Sequence, residues 1–228
     1  MSGARAAALL LCAGKGERLG AGLEKALVPL AGRPLFLWSL AALERTGAIE
    51  AIVVVGPQRK LRDVLAATGF AAAKVVAWCE GGRERQDSVA RGLAALPPEF
   101  TLVAVHDCAR ALVTPEVIGR VVGDALQHGA AIAAIPLEDT LKRSTLRRID
   151  DTVPRANLWR AQTPQAFRRD WLEQAHAGAA GKATDDAALV EALGHAVCLT
   201  EGDPVNFKIT APRDLALAEA WLTARVEV

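Results

Sequence analysis

Short apolar runs alternating with amphipathic segments predict an α/β fold: a doubly wound, mostly parallel sheet covered by helices on both faces. Two observations carry the prediction. The runs at 6–12, 49–55, 74–78, 102–106, 130–135 and 196–200 are largely continuous in hydrophobicity rather than alternating, as strands buried on both faces are. The segments at 34–45, 60–68, 84–96, 115–128, 168–179, 185–193 and 212–224 place apolar residues three and four apart, several of them behind a proline or ahead of a glycine. Such folds bind ligands beyond the carboxyl ends of their strands, so the polar residues just after each run are the ones to read for function.

The first run breaks into Ala13-Gly-Lys-Gly-Glu-Arg18, with Lys25 shortly after. Glycine lets the backbone turn sharply and bring its N–H groups close to an anion, while Arg18 and Lys25 add countercharge, so the loop suits a nucleoside di- or triphosphate. The same glycines also serve an ordinary strand-to-loop turn. The run at 74–78 leads into Glu80-Gly-Gly-Arg-Glu-Arg-Gln-Asp-Ser88, a second glycine turn opening a helix. It reads either as a base-recognition loop, with Ser88 bonding the base, or as a turn with Ser88 bonding the helix backbone.

The run at 102–106 ends in His106-Asp107-Cys108-Ala109-Arg110, which sets Asp107 at the carboxyl edge of the sheet. One carboxylate there suffices for Mg²⁺, which takes its remaining ligands from substrate phosphates and water; the alternative is a turn cap. His106 reads as a packed residue rather than a base. Charges crowd 139–151, with no long apolar face, so 136–162 is expected to leave the domain as an arm whose hairpin pairs 140–143 with 147–153. Two strands alone are marginal in water, and a second subunit is the natural support. Thr184-Asp185-Asp186 either caps the helix that follows or belongs to the site. Asn206-Phe-Lys208-Ile-Thr210 is expected to be a short strand with a projecting lysine.

With 228 residues, 51% hydrophobic, and a formal charge of +1, the chain suits one domain over 1–228 with a small-molecule ligand, not a nucleic acid. Cys12, Cys79, Cys108 and Cys198 include no C-x-x-C pair, which points to reduced thiols in a cytoplasm. Arg5 and the apolar run after it imitate an export signal, but the run is short and leads into a cation-bearing loop. No stretch approaches the about 20 apolar residues of a membrane span. Several cations, one carboxylate and no nucleophile-base pair suit transfer at phosphorus by charge stabilisation.

The ordered series Ala13-Gly-x-Gly-x-Arg18, Lys25, Gly81-Gly-x-Glu-Arg-x-Asp-Ser88, His106-Asp-x-Ala-Arg110, Asp139-Thr-x-Lys142, Arg155-x-x-Leu-Trp159, Thr163-Pro-Gln165, Thr184-Asp and Asn206-x-Lys208-Ile-Thr210 resembles the 2-C-methyl-D-erythritol 4-phosphate cytidylyltransferase family. The resemblance spans nearly the whole chain and implies a Rossmann-like nucleotidyltransferase fold and a reaction. CTP and methylerythritol phosphate give the CDP-linked product and pyrophosphate, with Mg²⁺, in non-mevalonate isoprenoid synthesis.

By the same resemblance, Arg18 and Lys25 stabilise charge at the α-phosphate, Lys208 is a further active-site lysine and Asp107 binds the metal. Ala13, Gly14 and Gly16 hold the triphosphate, and Gly81, Gly82 and Ser88 the cytidine. The family is a dimer, so Thr140 and Arg155 reach the acceptor bound by the partner subunit, while Thr184 lies on the polyol side. Glu24-Lys25-Ala26 departs from the family's common Pro-Lys-Gln, Ala111 from a proline and Cys108 from a smaller residue. Glu24 is expected to lower the charge that Lys25 offers. Ribitol 5-phosphate or a related polyol phosphate is the alternative acceptor, and a catalytically idle nucleotide-binding regulator is the reading from another class.

Overall fold

Six consecutive apolar residues leave β1 (Ala6–Leu11) no polar face, and it is buried on both sides. The computed structural model describes residues 4–14, 16, 19, 24–178 and 183–226. After a short ribbon of β2 (Pro29–Leu30) and β3 (Arg33–Pro34) come α1 (Leu35–Arg45), β4 (Ala51–Val55), α2 (Gln58–Thr68), β5 (Val75–Cys79) and α3 (Arg85–Ala95). The chain continues through β6 (Leu102–Asp107), α4 (Pro115–His128) and β7 (Ala130–Pro136) into a hairpin of β8 (Leu141–Thr145) and β9 (Arg148–Val153). It closes with β10 (Trp159–Arg168), α5 (Arg169–Ala177), α6 (Asp186–Ala192), β11 (Cys198–Glu201) and α7 (Pro212–Val226).

The main sheet runs β11-β7-β10-β6-β1-β4-β5, and every pairing is parallel except the two made by β10. Alternation along β1 divides the core. Ala6, Ala8 and Leu10 face a cluster with Phe36, Leu40 and Leu43 of α1 and Ile118 and Val121 of α4. Ala7, Leu9 and Leu11 face Val89 and Leu93 of α3, Leu172 of α5 and Val190 of α6. The expected doubly wound, mostly parallel sheet is therefore present, with all of its expected strands.

Three expectations change. The arm was placed at 136–162, but its hairpin ends at Val153, and Trp159 already opens a strand inside the sheet. That strand reads as loop in sequence because Gln162, Thr163 and Gln165 are polar and Pro164 cannot donate to a ladder. The sheet accommodates them at a register shift between Ala161 and Gln165, where the three polar side chains are buried and hydrogen-bonded. Residues 206–210 form no strand; instead the Ile209 N–H donates to Ala109 O at 2.8 Å, pinning an extended segment beside the end of β6.

The hairpin does exist, and Leu146 and Arg147 turn it at φ 47° and 65°. Its tip exposes apolar side chains, with Leu146 at 92% and Ile149 at 65% of full exposure. Among the described residues no helix is long and apolar enough to cross a membrane.

Candidate active site at the carboxyl edge of the sheet

Two loops meet at the ends of β1 and β5. A Cβ on Gly81 would stand 2.2 Å from the Ala13 Cβ, so only glycine lets the second loop lie on the first. A Cβ on Gly82 would fall 2.1 Å from that of Asp87, against the first turn of α3. The Gly82 N–H donates to Ser88 Oγ at 3.0 Å, and that hydroxyl donates to Glu84 O at 3.2 Å. Of the two readings of Ser88, the structure displays the backbone bond: the buried hydroxyl shapes the loop. Glu84 and Asp87 close a reciprocal capping box at the start of α3, and Arg91 reaches back to Gly81 O at 2.6 Å.

In the first loop Ala13 and Gly14 follow Cys12, and Gly16 turns with φ 71°. The Lys25 N–H donates to Gly14 O at 3.0 Å, and its side-chain Cδ comes within 3.7 Å of where a Cβ on Gly14 would sit. Lys25 is thus laid over the glycine turn. The Glu24 carboxylate hydrogen-bonds Lys60, which holds it below the usual carboxylate range. Arg18 lies outside the described residues.

Asp107 ends β6 in register with Leu11 of β1, which sets its carboxylate beside the glycine loop. Lys208 Nζ donates to Asp107 Oδ2 at 2.6 Å and Arg85 Nε to Oδ1 at 3.3 Å. Burial opposes charge on this carboxyl, but the two cations outweigh it and hold the acid well below its ordinary range. Thr163 supports the same strand end, its Oγ1 accepting from the Asp107 N–H at 3.1 Å and lying 3.1 Å from His106 Nδ1.

A divalent metal fits here. Mg²⁺ is held by hard oxygens, often one carboxylate plus phosphates and water, and Asp107 offers an ionised, partly accessible carboxylate at the mouth of a phosphate-type loop. Among the described residues no group of three or more His, Cys, Asp or Glu side chains competes for such an ion.

His106 is fully buried, and burial pushes its imidazolium down to about 4. It is a neutral packing and hydrogen-bonding residue, as expected, not a base. Between pH 6.5 and about 4 the unfolded chain takes up a proton that the folded ring refuses, so stability falls as pH falls through that window. This group's share of the loss is on the order of 3 kcal/mol. Urea unfolding at pH 7 and 4.5 should show a smaller acid loss in His106→Asn than in the unaltered chain; equal losses would contradict the assignment.

The remaining residues named from sequence are further out. Thr184 is exposed, immediately before Asp185, whose side chain accepts from the Ala188 N–H at 3.0 Å and caps α6. Thr140 and Arg155 sit exposed on the arm, and among the described residues neither side chain makes a hydrogen bond or ion pair.

Two side chains not singled out from the sequence support these groups. Gln165 Nε2 donates to Asp185 Oδ2 at 2.8 Å, while its Oε1 accepts from Asp186 N at 3.2 Å and Ala187 N at 3.3 Å. Arg110 ties Asn206 O, at 2.8 Å, to Ala161 O, at 3.2 Å, and so anchors the segment that carries Lys208. Both lie in quoted motifs, Thr163-Pro-Gln165 and His106-Asp-x-Ala-Arg110, which was the available signal.

Comparison with known proteins identifies the family. The family model described as IspD, 2-C-methyl-D-erythritol 4-phosphate cytidylyltransferase, matches residues 6–224. A protein of that name from Gloeobacter violaceus is 42% identical over 224 residues, covering 96% of each chain. Another, from Prochlorococcus marinus, is 43% identical over 221 residues, covering 95% of this chain and 98% of its own. The crystal structure of the enzyme so named from Thermus thermophilus superposes with a TM-score of 0.76 at 37% identity, covering 95% of this chain and 98% of that one. With its whole sheet, both glycine loops and the Asp107 edge inside the matched span, the chain belongs to the 2-C-methyl-D-erythritol 4-phosphate cytidylyltransferase family.

Proposed function

We propose that this chain carries out the family's transfer, moving CMP from CTP to 2-C-methyl-D-erythritol 4-phosphate with release of pyrophosphate, and that the site built on Asp107 performs it. The observation that carries the assignment of the site is the Ala13–Gly81 contact. It joins the phosphate-type loop to the second loop within reach of the Asp107–Lys208 pair.

The acceptor is a phosphate monoester with a second pKa near 6, mostly dianionic at neutral pH, so it needs no general base. What the chain must do is hold two polyanions in line and neutralise charge at the α-phosphorus and on the departing pyrophosphate. Ala13, Gly14 and Gly16 carry the triphosphate, with Arg18 and Lys25 as countercharge. Gly81 and Gly82 present backbone groups to the cytosine, with Ser88 fixing their loop. Asp107 would hold the Mg²⁺; when bound, that ion neutralises phosphate oxygens in the transition state. Lys208, ion-paired to Asp107 at 2.6 Å, would offer its ammonium to the phosphates of a bound nucleotide.

Thr184 stands on the acceptor side. Thr140 and Arg155, exposed on the arm, serve the acceptor site of a second copy of the chain. A homodimer would also cover Leu146 and Ile149. The cytoplasm, where CTP and reduced thiols are found, is the proposed location.

Pyrophosphate release measured with CTP and Mg²⁺, against methylerythritol phosphate and ribitol 5-phosphate in turn, tests the acceptor. The expected preference is for methylerythritol phosphate by at least about tenfold in kcat/KM, the size a few acceptor contacts supply. A preference for ribitol phosphate would overturn the choice.

A further inference from the structure

Arg85 is shared between two carboxylates. Its Nη1 lies 2.8 Å from Asp186 Oδ2 and its Nε 3.3 Å from Asp107 Oδ1, while Nη2 is buried and takes no hydrogen bond among the described residues. Asp186 is entirely buried at the start of α6, with its other oxygen 3.0 Å from His176 Nε2 and its backbone N–H held by Gln165. Among the described residues the guanidinium is thus an ionic link between the candidate metal ligand and the start of α6, next to Thr184. It is drawn closer to the buried carboxylate than to the catalytic one.

We infer that Asp186 is a positioning residue for the metal: it holds and neutralises Arg85, so that the guanidinium stays loose against Asp107 Oδ1 and leaves that oxygen open to a divalent cation. The inference rests on the reading of Asp107 as the metal ligand. With the Asp186 charge removed, Arg85 has, among the described residues, Asp107 as its only ion-pair partner. The ion would then compete with a full, partly desolvated positive charge a few ångströms from its own ligand. Removing Arg85 as well abolishes the competitor. Two substitutions in the site's wall should therefore do less harm to metal binding than one.

A direct binding measurement separates this from a simple structural role. Mn²⁺ binding to the full chain at saturating CTP, followed by the loss of the free-ion paramagnetic resonance signal, reports on the site without turnover. Asp186→Asn is expected to weaken Mn²⁺ about tenfold, Asp186→Glu to stay within about twofold of the unaltered chain, and Arg85→Gln/Asp186→Asn to bind at least as tightly as the unaltered chain.

A merely structural pair would make the double variant at least as weak as Asp186→Asn, and that result would overturn the inference. So would an unchanged Mn²⁺ affinity in Asp186→Asn. Should that single variant not fold, a double variant binding more than about tenfold worse than the unaltered chain counts against the inference equally. Failure of the underlying metal assignment looks different: the unaltered chain would show no CTP-dependent Mn²⁺ site, or one that survives Asp107→Asn, and the inference would fall with it.

Discussion

Lys25→Ala is expected to lower turnover by about 10³-fold while leaving the fold in place. The backbone part of this residue fixes the loop, because its N–H, not its side chain, donates to Gly14 O. Alanine keeps that bond. What it removes is a cation carried over the glycine turn, where the proposed transfer would gather charge on the α-phosphate as the bond to pyrophosphate breaks. A preorganised charge in a partly dry site is worth far more there than in water, which is why one side chain can carry so large an effect. Turnover at saturating CTP and acceptor, together with a thermal unfolding midpoint within a few degrees of the unaltered chain, is the measurement. Unchanged turnover would show that the loop does not bind the triphosphate.

How much of this was legible beforehand follows from what each element buries. Strands such as β1, β4 and β7 are buried on both faces and must be apolar throughout, so their sequences announce them. β10 is as central as any of them and was not legible, because the same residues that fill the sheet also furnish the site with Gln162, Thr163 and Gln165. Polar side chains satisfied by partners far along the chain look like loop until those partners are placed. The segment at 206–210 misled in the other direction: its apolar-polar pattern suits a strand, yet it meets Ala109 at only a single backbone bond.

The glycine loops, Lys25, Asp107 and Lys208 were legible as residue types with a chemistry. Their assembly was not, since Lys208 is 101 positions from Asp107 and only the fold brings the two to 2.6 Å. Arg85 and Asp186 were invisible as a pair for the same reason. Each sits in a charged run that reads by itself as a solvated helix start.

Arm exchange gives the second large effect. Chains carrying Lys25→Ala and chains carrying Arg155→Ala are each expected to be nearly inactive alone. In a mixed dimer one site unites the intact loop of one chain with the intact arm of the other, while the second site collects both lesions. Random pairing at equal amounts should therefore restore about a quarter of the unaltered activity. The premise is geometric: Arg155 lies exposed just past the hairpin's base, without a side-chain hydrogen bond or ion pair among the described residues, and the apolar tip of the same hairpin is uncovered. Mixed dimers verified by differential tags that stay as inactive as their parents would place Arg155 in its own chain's site or outside any site.

Following the α-phosphorus of CTP through the acceptor reaction tests most directly whether the site at Asp107 is a cytidylyl-transfer centre. With CTP labelled at the α position, Mg²⁺ and methylerythritol phosphate, the label should appear in the acceptor-linked product and the unlabelled β and γ phosphates leave together as pyrophosphate. Label retained in CDP, with the γ-phosphate on the acceptor, would mean attack at the far end of the triphosphate and would contradict the assignment of Lys25, Asp107 and Lys208 to the α-phosphate.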